Sequence, residues 1–214
     1  MLKAVVFDMD GTLLDSMHVW DHVGEDYLAT LQIHAEEGLQ EIITPMSLSQ
    51  SAMYLKQTYQ LEDTIEEIQQ GIEAQVMKHY KEDIPLKNGV KECIERCVKE
   101  NLRVCVLTAS SLEMAQSAFR RCGILHHFEF IMTCEEADCP KTDVRIYQKT
   151  IEKLGIKKEE CVFIDDALYA IECMRTNGYQ VVAVYDEAND NDWNQICEIS
   201  NQAVSALTDW KGSI

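Results

Sequence analysis

Short β-branched runs alternate with longer segments of helical periodicity over most of this chain. The apolar runs predict buried strands at 3–7, 102–107, 128–133, 161–164 and 180–185. Between them, the spacing of apolar residues predicts helices at about 88–100, 111–122, 144–154 and 168–176. Strands that alternate with helices of this length are typical of βαβ units, so we predict an α/β fold with a parallel sheet.

A stretch with helical spacing alone interrupts this alternation directly after the first strand. From Ser16 to about Glu82 the apolar positions recur every three or four residues, as at Val19, Val23 and Tyr27. We therefore predict two domains. Residues 1–14 and 83–214 form a Rossmann-like parallel-sheet core, and residues 15–82 form an inserted helical domain.

Composition and charge narrow the classes of function. The 214 residues include 19 Lys and Arg against 37 Asp and Glu, which gives a net charge of −18. Such an acidic surface repels phosphate backbones and anionic lipids, so we expect neither nucleic-acid binding nor membrane association. The first apolar run, Ala4–Phe7, is too short for the apolar region of a signal peptide, so we expect none, and no stretch approaches the roughly 20 apolar residues of a membrane helix. We expect a cytoplasmic protein that is a monomer or a weak dimer.

The nine cysteines do not indicate a disulfide framework or a zinc site. None is spaced as C-x-x-C, and several lie in apolar strand runs, where a free cysteine packs as a small apolar side chain. An odd number of cysteines without a signal peptide fits a reducing compartment. Cys134 and Cys139 leave a soft-metal site open as an alternative that we do not favour.

Polar residues with reactive or metal-binding side chains follow four of the predicted strands. In open parallel sheets, ligands bind beyond the carboxyl ends of the strands, so these side chains are expected to meet. Carboxylates bind hard cations such as Mg²⁺, and a carboxylate is also a known covalent nucleophile. Lys and Thr donate hydrogen bonds to a phosphoryl group, whose transfer depends on positioning and charge neutralisation. The residues concerned are Asp8, Asp10, Thr108, Lys141, Asp165 and Asp166.

Four segments resemble a known family. DMDGTLLDS (8–16), VLTAS (106–110), the isolated Lys141 and VFIDDALYAIECMRTNGY (162–179) resemble, in order and spacing, the four motifs of the haloacid dehalogenase (HAD) superfamily. The insertion after the first motif resembles the C1 cap of phosphoglycolate-phosphatase-like and beta-phosphoglucomutase-like members. The resemblance spans nearly the whole chain, and four ordered motifs are far more specific than an Asp-x-Asp pattern alone.

The resemblance implies a phosphatase that uses Mg²⁺ and acts on a small phosphorylated metabolite. Asp8 resembles the nucleophile, which forms an aspartyl-phosphate. Asp10 resembles the general acid/base that protonates the leaving alcohol and then activates water. Lys141 resembles the residue that offsets the charge of the nucleophile and the phosphate.

The same motifs imply the ligands of phosphate and metal. Thr108, the backbone amide of Ala109 and that of Met9 are the expected phosphate binders. Asp165 stands where many members have Glu, and its shorter side chain leaves open whether it reaches the metal directly or through water. Ser110 is the favoured N-cap of the helix after the second strand. The expected Mg²⁺ ligands are Asp8, Asp10 through its carbonyl, Asp165 and Asp166.

The composition of the predicted cap favours a hydrolase. Residues 15–82 contain 13 acidic residues, 3 lysines and no arginine. Related mutases hold a second phosphate with a cap arginine, and the corresponding segment, 44–54, has none. Two alternatives stay open, a beta-phosphoglucomutase-like phosphotransferase and a non-catalytic HAD-fold binding protein. A dehalogenase is disfavoured, because breaking a carbon–halogen bond leaves no oxygen for Asp10 to protonate.

Overall fold

The structure, a computed structural model, describes residues 1–20, 22–43, 46 and 48–212, with the backbone alone at residues 40 and 41. The chain divides into two compact units. The first comprises Met1–Asp15 and Ile84–Ile214, and the second comprises Ser16–Asp83.

Within the described residues, the first unit contains a six-stranded sheet in which every neighbouring pair of strands is parallel. The strands are β1 (Ala4–Phe7), β2 (Arg103–Thr108), β3 (Ile131–Thr133), β4 (Cys161–Asp165), β5 (Gln180–Val184) and β6 (Gln202–Val204). Their order across the sheet is β3-β2-β1-β4-β5-β6. All residues of β1 and β4 are buried, as expected for strands covered on both faces. The predicted α/β class with a parallel sheet is confirmed.

The described part of the second unit is helical, as its periodicity predicts. Its helices are α1 (Met17–Trp20), α2 (Val23–Thr30), α3 (Leu39–Ile43), α4 (Leu48–Thr58) and α5 (Ile65–Glu82). Helix α5 begins with a capping box, in which the Thr64 hydroxyl accepts a hydrogen bond from the Glu67 amide while the Glu67 carboxylate accepts one from the Thr64 amide. In the arginine-free segment 44–54, residues 44, 45 and 47 lie outside the described part of the chain.

Helices of the first unit connect the strands of the sheet. They are α6 (Val90–Lys99), α7 (Leu112–Cys122), α8 (Cys134–Ala137), α9 (Val144–Leu154), α10 (Leu168–Thr176) and α11 (Trp193–Ile199). Helices α9 and α10 begin and end at the residues predicted from the sequence. In the part of the chain that the structure describes, no helix has the length and apolar character needed to cross a bilayer.

The register of the sheet brings the carboxyl ends of its central strands together. Phe7 of β1 pairs with Val106 of β2 on one side and with Ile164 of β4 on the other. The residue after Phe7 is Asp8, whose amide donates to the Ile164 carbonyl at 2.8 Å. Because the chain passes from β1 to β2 on one side and returns to β4 on the other, β1 borders the switch point of the sheet.

Two strands differ from the sequence prediction by more than one residue at an end. β3 starts at Ile131 rather than at residue 128, because the chain bends at Glu129 after the 3₁₀ turn at Leu125–His127. β6 was not predicted, since a three-residue edge strand with the sequence QAV has too few apolar positions to form a pattern.

Candidate active site

Three carboxylates and one lysine meet beyond the carboxyl ends of β1 and β4. Asp8, Asp165 and Asp166 each offer an oxygen that lies within 4.8 Å of the other two. Among the described residues this is the group of His, Cys, Asp or Glu side chains that could hold a metal, and Cys134 and Cys139 do not belong to such a group. All three carboxylates and Lys141 are more than nine-tenths buried.

Lys141 bridges two of these carboxylates. Its ammonium donates to Asp8 Oδ1 and, at 2.8 Å, to Asp165 Oδ2. The backbone of Lys141 is held in turn by Tyr147 of α9, a fully buried residue whose hydroxyl donates to the Lys141 carbonyl at 2.6 Å. Asp165 Oδ1 accepts a bond from the Ala167 amide at 3.0 Å. The orientation of Asp165 is therefore fixed at both oxygens.

Asp166 is also held at both carboxylate oxygens. The Thr12 hydroxyl donates to Oδ1 at 2.8 Å, and the side-chain amide of Asn189 donates to Oδ2 at 2.7 Å. Gly11, with φ of +79°, lies against the same carboxylate, and a Cβ atom at this position would be 2.8 Å from Asp166 Cγ. Glycine is required here for two reasons, its left-handed backbone and its lack of a side chain.

The loop after β2 reaches the second aspartate of the first motif. The Ser110 hydroxyl donates to Asp10 Oδ2 at 2.6 Å, and the Ser110 amide donates to the hydroxyl oxygen of the fully buried Thr108 at 3.0 Å. The assignment of Ser110 as the cap of α7 is wrong. The extended backbone at Ser111 directs that hydroxyl to the Met114 amide, so Ser111 is the cap and Ser110 is available to Asp10.

The two expected amide donors lie at the same edge of the sheet. Ala109 directly follows β2 and is exposed. Met9 lies between the two motif aspartates with its side chain fully buried, and its carbonyl accepts bonds from the amides of Leu13 and Leu14. The turn closed by these bonds contains Asp10, Gly11 and Thr12.

Burial and mutual repulsion dominate the electrostatics of the cluster. Burial first, and then the charges of Asp165, Asp166 and Asp10, raise the pKa of Asp8 well above its usual range, against the opposing effect of Lys141. Burial followed by repulsion from Asp165 raises the pKa of Asp166 to about 7. Burial disfavours the Lys141 ammonium, but Asp165 and Asp8 outweigh it and raise the pKa of Lys141. Excess negative charge on converging oxygens fits a hard divalent cation such as Mg²⁺.

Sequence reasoning missed three residues around the cluster, of which Tyr147 and Asn189 lie outside the motifs and hold it by hydrogen bonds. Tyr147 reads as an ordinary core aromatic, and Asn189 lies 23 residues beyond Asp166 in a polar segment. Tyr169, on the first turn of α10, is half-exposed. Burial of its phenol is the main cause that raises the pKa of Tyr169 to about 12, with Lys141 opposing and Asp165 adding. No local pattern in the sequence marks any of these three residues.

A family model describes the same arrangement of motifs. The haloacid dehalogenase-like hydrolase model matches residues 5–184. The chain belongs to this family. The resemblance drawn from the four motifs is thereby confirmed, and the matched range includes every residue of the predicted site.

Known members of the HAD family with similar sequences or structures have different activities. Hexitol phosphatase B of Escherichia coli O157:H7 is 24% identical over 211 residues, which cover 97% of this chain and 94% of that protein. (S)-2-haloacid dehalogenase 4A of Burkholderia cepacia is 24% identical over 223 residues, covering 98% and 94%. A candidate beta-phosphoglucomutase structure from Thermotoga maritima has a TM-score of 0.84 at 20% identity, covering 95% and 94%. At these identities the structural likeness shows the fold, and the individual residue roles stay predictions.

The contact between Gly11 and Asp166 predicts an unequal response to two glycine substitutions. Gly11→Ala and Gly123→Ala both place a side chain at positive φ, but the Cβ at Gly123 has no atom within 4 Å. We expect Gly123→Ala to lower the free energy of unfolding by about 1–2 kcal/mol. Gly11→Ala should lower it by roughly a further 1–3 kcal/mol, because Asp166 must move. Urea denaturation of both variants measures this, and equal losses would contradict the packing of Gly11 on Asp166.

The raised pKa of Asp166 predicts a pH-dependent stability in metal-free protein. The folded state holds the Asp166 proton up to about pH 7, whereas an unfolded chain releases it near the ordinary value of 3.8. The contribution of Asp166 to stability is therefore full below pH 4 and falls as the pH rises towards 7.

The isosteric Asp166→Asn variant cannot titrate at this position and serves as the control. Thermal unfolding in EDTA between pH 4 and 8 should show the wild-type Tm falling relative to that of Asp166→Asn as the pH rises. Parallel curves for the two proteins would show that Asp166 is not perturbed.

Proposed function

We propose that this HAD hydrolase is a Mg²⁺-dependent phosphatase that releases phosphate from a small phosphorylated metabolite through an aspartyl-phosphate on Asp8. The observation that carries the proposal is the buried bridge from Asp8 through Lys141 to Asp165, with Asp166 alongside. This set joins a nucleophile, a cation that offsets charge, and oxygen ligands for a metal.

Asp8 is assigned the attack on phosphorus. Lys141 holds Oδ1 of Asp8, so we assign the attack to Oδ2. The Lys141 ammonium also offsets charge on the phosphoryl oxygens, as preorganised cations do in phosphoryl transfer. Thr108 and the amides of Ala109 and Met9 are assigned to phosphate binding, because they lie at the ends of the two strands that flank this position.

Asp10 is assigned both proton transfers. It lies two residues after the nucleophile, is partly exposed, and accepts a hydrogen bond from Ser110 at Oδ2. As an acid it protonates the leaving alkoxide, and as a base it takes a proton from the water that hydrolyses the aspartyl-phosphate. A haloacid dehalogenase needs no acid for a halide leaving group, so the presence of Asp10 favours phosphate-ester hydrolysis over the dehalogenase activity of one relative.

The carboxylates of Asp8, Asp165 and Asp166, with the carbonyl of Asp10, are the proposed ligands of Mg²⁺. When bound, Mg²⁺ supplies the charge neutralisation that lets phosphate oxygens approach this acidic cluster. The chain's own contribution is orientation. Lys141 and Ala167 fix Asp165, while Thr12 and Asn189 fix Asp166.

The helical unit Ser16–Asp83 is the proposed cap, and its charge favours a monophosphate. With 13 acidic residues, 3 lysines and no arginine in 15–82, it offers little to a second phosphate. The Lys56 ammonium is already bound to the carbonyls of Leu61 at 3.0 Å, Glu62 at 3.3 Å and Asp63. The activity of hexitol phosphatase B supports a sugar or polyol monophosphate as the substrate class.

A phosphotransferase is the second candidate, and it is favoured by the fold shared with the Thermotoga maritima mutase candidate. A mutase must hold a bisphosphate intermediate at both ends. Product analysis separates the two activities, since a mutase interconverts phosphate esters without net release of inorganic phosphate.

Phosphate release from a panel of hexitol and sugar monophosphates and bisphosphates tests the proposal. We expect release with Mg²⁺ and none with EDTA. Repulsion by the acidic cap should cost a bisphosphate about 1 kcal/mol of binding free energy relative to a monophosphate. We therefore expect kcat/KM to be roughly five-fold higher for monophosphates, with a difference that becomes smaller as the salt concentration rises. Asp8→Asn should be inactive. Asp143→Asn, at a partly exposed carboxylate that caps α9, is the matched control and should keep full activity.

Three outcomes would contradict the proposal. Full activity in EDTA would remove the metal from the reaction. Turnover by Asp8→Asn would remove the nucleophile. Interconversion of sugar phosphates without release of phosphate would establish the mutase instead. A clear preference for bisphosphates would overturn the monophosphate substrate class alone.

A further inference from the structure

The Asp166 carboxylate is held by a side chain from a segment that contains none of the family motifs. Asn189 lies in the 3₁₀ segment Glu187–Asp192, which follows β5, and its amide donates to Asp166 Oδ2 at 2.7 Å. We propose that Asn189 is a positioning residue that orients Asp166 for a divalent cation. This inference rests on the proposed function, because it assumes that Asp166 is a metal ligand.

Two hydrogen bonds on opposite oxygens define the plane of the Asp166 carboxylate. Thr12 donates to Oδ1, and Asn189 donates to Oδ2. With only one of these bonds the carboxylate would be free to rotate about its Cβ–Cγ bond. Each carboxylate oxygen has about two acceptor positions, so a bond from the Asn189 amide leaves a position on Oδ2 for a cation. Groups that bond to a metal ligand in this way orient it and tune its affinity.

The backbone turn around Asn189 places its side-chain amide against Asp166. The buried Asp186 accepts a bond from the Ala188 amide at 3.0 Å, which begins the 3₁₀ segment. The backbone carbonyl of Asp186 accepts a hydrogen bond from the backbone N–H of Asn189 at 3.0 Å. Asn189 itself departs from helical geometry, with φ of −108° and ψ of 17°. The 3₁₀ segment is therefore kinked at the residue that contacts Asp166.

Lys87 ties this turn to the loop after β1. Its ammonium donates to the Gly11 carbonyl at 2.6 Å, the Tyr185 carbonyl at 2.7 Å and Asp186 Oδ2 at 2.7 Å. These three bonds use all three donors of the ammonium. Gly11 and Thr12 contact Asp166 from one loop and Asn189 contacts it from the other, so Lys87 fixes the separation of the two loops that hold the carboxylate.

The chemistry of an amide suits this task. A neutral donor can orient a carboxylate without adding positive charge that competes with a cation. An acidic residue at 189 would add a further negative charge to the three carboxylates already clustered there. A lysine at 189 would neutralise Asp166 and weaken its attraction for the metal.

Titration of the 214-residue protein with Mg²⁺ in the absence of substrate, monitored by calorimetry, tests the inference. We expect Asn189→Ala to bind Mg²⁺ about 10- to 100-fold more weakly than the wild type. Asn191→Ala, at an exposed asparagine in the same 3₁₀ segment, is the matched control and should bind as the wild type does. In phosphate release, Asn189→Ala should need more Mg²⁺ for half-maximal rate, with kcat at saturating Mg²⁺ largely retained.

Wild-type affinity in Asn189→Ala would overturn the inference and leave the proposed function intact. Tighter binding would also overturn it, because the amide would then occupy the position that the metal takes. Failure of the wild type to bind Mg²⁺ would overturn the proposed function and this inference together. Circular dichroism confirms the fold of each variant. Asn189→Ser, whose hydroxyl oxygen is one bond nearer the backbone than the Asn189 side-chain nitrogen, gives the same test if Asn189→Ala does not fold.

Discussion

The Lys141 ammonium between Asp8 and Asp165 is the interaction on which the rest of the site depends. Both carboxylates and the lysine are almost fully buried, so each charge has lost most of its hydration. Removing one partner of such a bridge typically costs about 3–5 kcal/mol, because a charge is then left buried without compensation. Lys141 compensates two carboxylates, while Asp166 stays close to both without an ammonium of its own. The remaining negative charge is what makes this buried position suited to a divalent cation.

The sheet explains how residues so distant in the sequence reach one another. Lys141 is 133 residues from Asp8 and 24 from Asp165. The parallel register of β1 with β4 places Asp8 beside Asp165, and the hydroxyl of Tyr147 fixes the carbonyl of Lys141. The helical unit is inserted between β1 and β2, outside the paired strands. The paired strands therefore set the positions of these side chains.

The sequence was most informative where local pattern and family motif coincide. Helices α9 and α10 were predicted to the residue, because a glycine, Gly155 or Gly178, directly follows the end of each or lies one residue beyond it. Asp8, Asp165 and Asp166 were predicted to meet because each directly follows a buried strand or ends one. Their joint position at the end of β1 and β4 agrees with that expectation, although their chemical roles remain proposals.

Contacts between separate loops could not be predicted in this way. Asn189 and Lys87 lie in polar segments whose periodicity says nothing about a partner many residues away. The exchange of Ser110 and Ser111 has a similar cause. The two serines are chemically identical, and only the backbone angles at Ser111 decide which hydroxyl caps α7 and which one contacts Asp10.

Identification of the phosphorylated residue tests the central claim most directly. An Asp10→Asn variant mixed with an aryl phosphate and Mg²⁺ should be phosphorylated, because an activated leaving group needs no proton, and should then fail to hydrolyse the aspartyl-phosphate. Acid quenching and peptide mass mapping should locate the phosphate on Asp8. Phosphate on another residue, or release of the aryl alcohol through no phosphorylated residue at all, would contradict the account.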